Sequence, residues 1–529
     1  MKAIRIIAFL LTLCMLSSVL FACNKQEEPS DTSPSSDETP EDSSNSETAS
    51  NPEFDGDLEK FIEITQYNGK MFDEDHIDIG QGSWMHVIKN TTPDEYNKFK
   101  TQLEKDGFVY YTSNEIGKNK FTTYITESQI VNVMLVWYDY DEENKTDYGG
   151  GGAFDHYEVR VTEDNRYFFD LPGLQSDNIY KNNGYGSLTM ISEDTLTYAG
   201  RMGYIYQLAD GSFFVIDGGV TRDDPTKSAT PAFMAVLEKF APDPNNIVIA
   251  GWLITHMHDD HMGVYYEISQ NEEYLSKITV EKLIHNMPSE SEMAIQDMYS
   301  WDNSTLDVNR TTVNNANGMT VWQDNFNEAT AIIRPQQKVK AHAGQTVYIR
   351  DLSLTIYVAQ DLLLFSTDTT AATAKNFESN PWHNSSSIVS MINYQGKDML
   401  FFADAHVYTF RFVIYPVYHN DLKADVLSVA HHGYADTRAQ LANEYVDPDY
   451  ILWPLKRGHY DGFNPDGSIY SEKADGSQYT GVIKAATNSV FMNDPSIIHV
   501  YHEKDLCVTI DDFSSSTWEF YEWDAIPNK

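Results

Sequence analysis

"LITHMHDDHMG", residues 253–263, sets three histidines and two aspartates in six consecutive positions directly after the apolar run "NIVIAGW". Titratable groups crowded at the end of a buried strand are costly unless something neutralises them, and a bound cation does so. In extended chain alternate side chains share a face, so His256 and His258 point the same way and can share one metal. Asp260 and His261 follow in a turn and face a second ion beside the first. Imidazole and carboxylate suit zinc, and manganese or iron as well, so the two divalent ions are not identified by these residues, although zinc is the first choice.

The rest of the chain is consistent with a globular enzyme. Its 529 residues, 41% hydrophobic and 13% aromatic, suffice for two or three domains. A net charge of -42, from 37 basic and 79 acidic side chains, repels phosphate backbones and anionic lipids, so nucleic acid is not expected as a partner. A polyanionic substrate would need positive charge supplied locally by metal ions.

The N-terminus, residues 1–23, "MKAIRIIAFLLTLCMLSSVLFAC", has Lys2 and Arg5 ahead of an apolar stretch too short for a stable membrane span. "VLFAC" resembles a bacterial lipobox, which implies a lipidated Cys23 and a protein anchored on the outer face of the cell membrane; an ordinary secretory signal is the other reading. In either case the protein is exported. Cys14 lies in the removed peptide, so Cys507 is left as the thiol and no disulfide framework is expected. Its alternating run "DLCVTI" reads as buried strand.

Residues 24–55, rich in Ser, Thr, Pro and acids, read as a disordered, self-repelling tether. Residues 56–180 read as a small α+β accessory domain. In it Thr92, Pro93 and Gly107 mark the start and stop of a helix, and strands are expected at "FVYYTS", "KFTTYIT", "IVNVMLVWYDY" and "HYEVRVT". From 185 to 525 strands alternate with helices. "YIYQLADGSFFVIDGG" reads as a hairpin turning at Asp210 and Gly211, and "TPAFMAVLEKF" as a helix. Segment 286–340, with Met287, Met293, Met298, Trp301 and Trp322 among many Asn and Ser, reads as an insertion.

His256, His258, Asp260 and His261 match HxHxDH, and the sequence here resembles the metallo-β-lactamase superfamily. "FFVIDGG" with Asp217, "LFFADAH" with Asp404 and "LSVAHHG" follow in that family's order. The resemblance implies an α/β fold, the αββα sandwich, behind the small N-terminal α+β domain. It also implies metal ligands His256, His258, Asp260, His261 and the bridging Asp404, with either His431 or His432, and it gives Asp217 a supporting role through hydrogen bonds. The family's remaining histidine corresponds either to His383 or to nothing, because an asparagine-rich turn beginning at Asn384 stands there. "NSSSIVSMINYQGKDMLFFADAH", "ADVLSVAHHGYADT" and "DPDYILWPLKRGHYD" are most similar to the hydrolase domain of bacterial competence (DNA-uptake) proteins and to zinc phosphorylcholine esterases. That similarity makes His459 a candidate substrate-side or proton-donating catalytic residue; Asp260 is the other catalytic candidate, from the HxHxDH segment. No membrane spans follow the signal, which excludes a channel role.

The expected activity is therefore hydrolysis by a hydroxide bound to two metal ions, acting on a phosphodiester or related ester of a small-molecule or envelope-derived substrate. Two alternatives stay open. One is a β-lactam or lactone hydrolase using the same metals. The other is a non-enzymatic surface-binding lipoprotein with a structural metal site, although structural zinc sites are usually closed by four ligands and are often rich in cysteine. Trp301, Trp322 and Trp382 could wall a choline-like group or serve as ordinary core or lid residues. Replacing Cys23 with serine is expected to shift the protein from the detergent phase to the aqueous phase in Triton X-114 partition; unchanged partition would count against the lipid anchor.

Overall fold

In the strand "FFVID", Phe214 and Ile216 belong to one core while Phe213 and Val215 belong to another. This strand is buried on both faces, and the layers follow from it. The computed structural model describes Ile64 and residues 72–140, 155–175, 184–191, 202–220, 228–287, 319–363, 384, 386–405, 409–433, 445–456, 498–501, 506–513, 515 and 517–526. All fall within the compact unit Asp57–Lys529. The expected signal peptide and tether lie outside the described residues.

The central layers are two mixed sheets. One contains β7 (Ser187–Ile191), β8 (Gly203–Gln207), β9 (Phe213–Asp217), β10 (Ile247–Ile254), β11 (Ile278–Val280), β12 (Lys282–His285), β13 (Gln337–Lys340), β21 (Leu506–Thr509) and β22 (Tyr521–Glu522), in the order β13-β12-β10-β9-β8-β7-β21-β22 with β11 on β10. The other runs in chain order through β14 (Thr346–Ile349), β15 (Leu352–Val358), β16 (Val389–Tyr394), β17 (Lys397–Phe401), β18 (Val426–Ser428), β19 (Tyr450–Lys456) and β20 (Ile498–Tyr501). Tyr204, Tyr206, Phe214, Ile216 and Leu253 from the first meet Leu354, Ile356, Ile392, Met399 and Phe401 from the second in a shared core. Their facing side chains are of the kind that drives sheet-on-sheet packing.

Helices cover the outer faces. Helices α2 (Thr230–Phe240), α3 (Asp259–Gln270) and α4 (Met319–Ile333) pack Phe233, Leu237, Tyr265, Ile268, Phe326 and Ala329 onto Val215, Ile249 and Trp252. On the opposite side, the helical turns Phe410–Ile414 and Tyr415–Tyr418 lie on Leu400, Leu427 and Trp453. These four layers form the αββα sandwich that the resemblance implied.

The expected insertion is corrected in part by this arrangement. Residues 319–340 belong to the sandwich: α4 buries Phe326 and Ala329, and β13 pairs in parallel with β12, Lys282 opposite Gln337 through His285 opposite Lys340. The polar residues of the surrounding segment, and Gln323, Asp324, Asn325, Asn327 and Glu328 within the helix, interrupt its apolar run, but the spacing of Trp322, Phe326 and Ala329 keeps one apolar stripe. Trp322 is half-buried against the helix core and so forms no open wall.

The N-terminal segment forms an antiparallel sheet of β1 (Glu74–Asp78), β2 (Trp84–Thr91), β3 (Val109–Ile116), β4 (Asn119–Ile125), β5 (Gln129–Tyr138) and β6 (His156–Asn165), ordered β1-β2-β6-β5-β4-β3. Strand β5 explains how it is held. Val131, Val133 and Leu135 face helix α1 (Pro93–Lys105), whereas Met134, Val136 and Tyr138 join the core under the second central sheet. Helix α1 starts as expected, with Thr92 Oγ1 accepting from Glu95 N at 3.3 Å.

Buried charges fasten the same contact. Arg160 on β6 donates to Glu158 Oε2 (2.9 Å) and to Asp361 O (2.7 Å). His342 lies between Asp164 Oδ2 (2.8 Å, Nε2) and Asp361 Oδ2 (3.0 Å, Nδ1). Both ring nitrogens meet carboxylates, so both must carry protons. Burial pulls the His342 pKa down, but the Asp164 and Asp361 carboxylates outweigh it and lift it to about 9. A pKa raised above the unfolded value of about 6.5 gives stability that is complete below pH 6.5 and lost as pH rises through about 9. The melting temperature of the wild type should therefore fall more steeply between pH 7 and 10 than that of His342→Gln; equal slopes would remove His342 as the responsible group.

Candidate metal centre

Strand ends from both central sheets converge on one place. Strand β9 ends at Asp217, β10 leads through Thr255 and His256 to His258, β17 leads to Asp404, and β18 leads to the turn Ala430–Gly433. The residue just before β16 links the two sheets, with Ile388 N donating to Thr255 O at 3.0 Å. Rigid strands thus aim short loops, an arrangement that suits precise placement of polar groups.

Asp217 organises the first loop. It is fully buried and adopts the left-handed backbone, φ 55°. Its Oδ1 accepts from Thr255 N (2.8 Å), and its Oδ2 accepts from Thr255 Oγ1 (2.8 Å) and His261 Nδ1 (2.8 Å). With its proton on Nδ1, His261 turns the Nε2 lone pair toward Asp404. Thr255 Oγ1, whose hydrogen is committed to Asp217, stands 3.2 Å from His256 Nδ1 and can only accept from it, so Nε2 is the lone-pair nitrogen there too. One carboxylate therefore fixes the tautomers of two imidazoles, as outer partners of metal-binding histidines commonly do. The sequence marked Asp217, but it gave no signal for Thr255 beyond its place directly before the HxH pair.

The ligand-type atoms form two groups, each within 4.8 Å: Asp260, His261, Asp404 and His432, and His256, His258 and Asp404. Asp404 belongs to both. Its Oδ1 lies 3.2 Å from His261 Nε2 and 3.4 Å from His432 Nε2, and its Oδ2 lies 3.8 Å from His256 Nε2. Asp260 Oδ2 lies 3.3 Å from His432 Nε2. Asp260 and His261 stand in the first turn of α3 and not in a plain turn as expected, because His258 caps the helix, with Met262 N donating to its carbonyl at 2.9 Å. The positive end of the helix also favours a carboxylate at Asp260.

The donor set fits divalent cations. His261 Nε2 and Asp404 Oδ1 are buried and make no hydrogen bond, although they point at one another. Burial opposes every charge in the cluster, yet the carboxylates hold His261 well above the usual histidine range and His432 at about 9, while the imidazoles hold Asp404 well below the usual carboxylate range and Asp260 at about 2. Bare protons thus supply the positive charge that a dication would supply in their place.

Of the expected site residues, the structure brings together His256, His258, Asp260, His261, Asp404 and His432, with His431 Nε2 3.8 Å from Asp404 Oδ2. His383 and His459 lie outside the described residues, as do Trp301 and Trp382. Asn384 is buried beside the cluster, its Nδ2 3.1 Å from His431 Nε2. Cys507 pairs into β21 against β7, and burial pushes its thiol up to about 12, which suits a core residue.

No family model and no curated protein matches the sequence. Solved structures similar to parts of the chain include the metallo-β-lactamase fold protein YhfI from Bacillus subtilis, at 8% identity over 64% of this chain and 99% of that one, with a TM-score of 0.29. The diiron β-hydroxylase CmlA from Streptomyces venezuelae matches at 12% identity over 51% of this chain and 46% of its own, with a TM-score of 0.27. MEM-A1, a subclass B3 metallo-β-lactamase from a soil metagenome library, matches at 13% identity over 52% and 79%, with a TM-score of 0.25.

Since Asp217 acts by orienting other ligands, Asp217→Asn is expected to fold and to weaken zinc binding by about 10–100-fold in calorimetric titration. Unchanged affinity would show that the tautomer relay is not needed.

Proposed function

We propose that this protein is an exported, lipid-anchored hydrolase that depends on two divalent metal ions, zinc foremost, and cleaves a phosphodiester or related ester. The observation that carries the reading is Asp404: one buried carboxylate shared by two ligand groups, with imidazoles on both of its oxygens. We assign His256, His258 and Asp404 to one ion, and Asp260, His261, His432 and Asp404 to the other. Bound ions there would supply Lewis acidity, acidifying a shared water and polarising a substrate oxygen.

The chain's own residues do the rest. Asp217 and Thr255 hold His261 and His256 in the ligating tautomer. Asp260, with 24% of its side chain exposed, is the carboxylate that connects the buried cluster to solvent, a suitable exit for the proton of an attacking water. His459 is assigned as donor to the leaving group on the resemblance alone. The acidic surface, net charge -42, does not oppose an anionic ester, because attraction need come only from the centre. A cysteine-free donor set with one partly exposed carboxylate also argues against a closed structural site.

The discriminating experiment loads the protein with two ions and compares bis(p-nitrophenyl) phosphate, p-nitrophenylphosphorylcholine and a chromogenic β-lactam. The diesters should turn over faster, and Asp404→Asn should lower kcat/KM by more than about 100-fold, beyond what loss of a supporting residue costs. Faster β-lactam turnover would reverse the substrate assignment, and failure to hold two ions would leave the binding lipoprotein as the better account.

A further inference from the structure

We infer that the adjacent residues His431 and His432 each serve a different ion, His431 completing the group of His256 and His258 in the place where the sequence offers His383. This rests on the two-ion reading above and adds a ligand assignment to it.

The two oxygens of Asp404 sort the imidazoles around them. Oδ1 faces His261 Nε2 (3.2 Å) and His432 Nε2 (3.4 Å), the group that includes Asp260. Oδ2 faces His256 Nε2 and His431 Nε2, both at 3.8 Å. His431 therefore stands on the same oxygen as the first histidine of HxHxDH and on the opposite side of the carboxylate from its own neighbour. Among the described residues, His256, His258 and Asp404 bring three donors within 4.8 Å of one another, one fewer than the other group, and His431 stands beside them on the same carboxylate oxygen as His256.

The backbone explains how neighbours in sequence can diverge in this way. His431 (φ 46°, ψ 49°) and His432 (φ 50°, ψ 16°) are both left-handed, a conformation that L side chains seldom adopt twice in succession. Residues coiled like this project successive side chains about 100° apart, whereas a strand would oppose them. Their rings sit 6.2 Å apart, inclined by 59°. The strained turn is tied down at both ends: His431 N donates to Ala403 O (2.8 Å), beside Asp404, and Trp453 Nε1 donates to His432 O (2.8 Å). Ala403 is itself left-handed, φ 47°.

Asn384 marks the direction in which His431 is ready to bind. Its Nδ2 donates to His431 Nε2 across 3.1 Å, so an amide N–H lies on the lone pair that a cation would take. The Asn384 Oδ1 atom is buried without a hydrogen-bond partner, leaving the carboxamide able to turn an oxygen toward the same place. The asparagine-rich turn thus stands beside the ligand and not in its stead.

The test measures bound metal on the mature chain by elemental analysis after loading with zinc and desalting, together with calorimetric affinities for zinc. Wild type should retain two ions per chain. His431→Ala should retain one, its remaining affinity matching one of the two wild-type sites, while His383→Ala should retain two. His431→Gln serves if the alanine variant does not fold, with the same loss expected. Two ions at wild-type affinities in the His431 variants, or loss of an ion in His383→Ala, would overturn the inference while leaving the two-ion reading intact. Fewer than two ions in the wild type would overturn both.

Discussion

A single buried carboxylate constrains the centre. Asp217 sits at the end of a strand that is apolar on both faces, and its charge is tolerable only because Thr255 and His261 donate to both of its oxygens. Those donors are the residues that lead into and out of the HxHxDH segment. The same bonds that satisfy Asp217 therefore set where the histidines stand and which ring nitrogen keeps its lone pair. The left-handed backbone at Asp217, which bends the chain off β9, costs on the order of 1–3 kcal/mol and is held by the Trp252 indole donating to its carbonyl at 2.8 Å.

Strain recurs where the second sheet meets the first. Ala403, His431 and His432 are all left-handed. Strand β17 ends just before the first, and β18 just before the other two, so the parallel pair β17 and β18 delivers Asp404 and the histidines side by side. Packed sheets that bury Trp252 and Trp453 completely leave little room for these turns to relax. The acids and imidazoles are then pressed into mutual contact, and their pKa values move apart in the directions that a dication would make unnecessary.

The N-terminal sheet is tied into the same body. It shares a core with the second central sheet through Met134, Val136 and Tyr138, and its polar clamps through Arg160 and Asp164 both end on the turn that bears Asp361. That turn directly follows β15, the neighbour of β16, and Ile388, just before β16, bonds to Thr255. The sheet thus braces the frame next to the centre from outside, a role for which its own sequence, rich in strands and poor in clustered ligands, gave no sign.

Local pattern determined much of this protein. Apolar and β-branched runs between polar turns located β4, β5, β6, β8 and β9, and the Thr92-Pro93 start located α1; the spacing within His256–His261 marked the first ligands, because ligand chemistry demands rare residue types in tight clusters, and the family resemblance added Asp217, Asp404 and the histidine pair. Helix α4 and strand β13 were hidden, since many polar residues there dilute an apolar stripe that only the facing helix and strand make visible. What the tertiary structure alone decided was the sorting: which oxygen of Asp404 faces which imidazole, which nitrogen of each ring is turned inward, and that His431 and His432 part company. Those depend on distances between residues far apart in the chain and on left-handed backbone enforced by packing, neither of which is encoded in the identity of any one residue or its sequence neighbours.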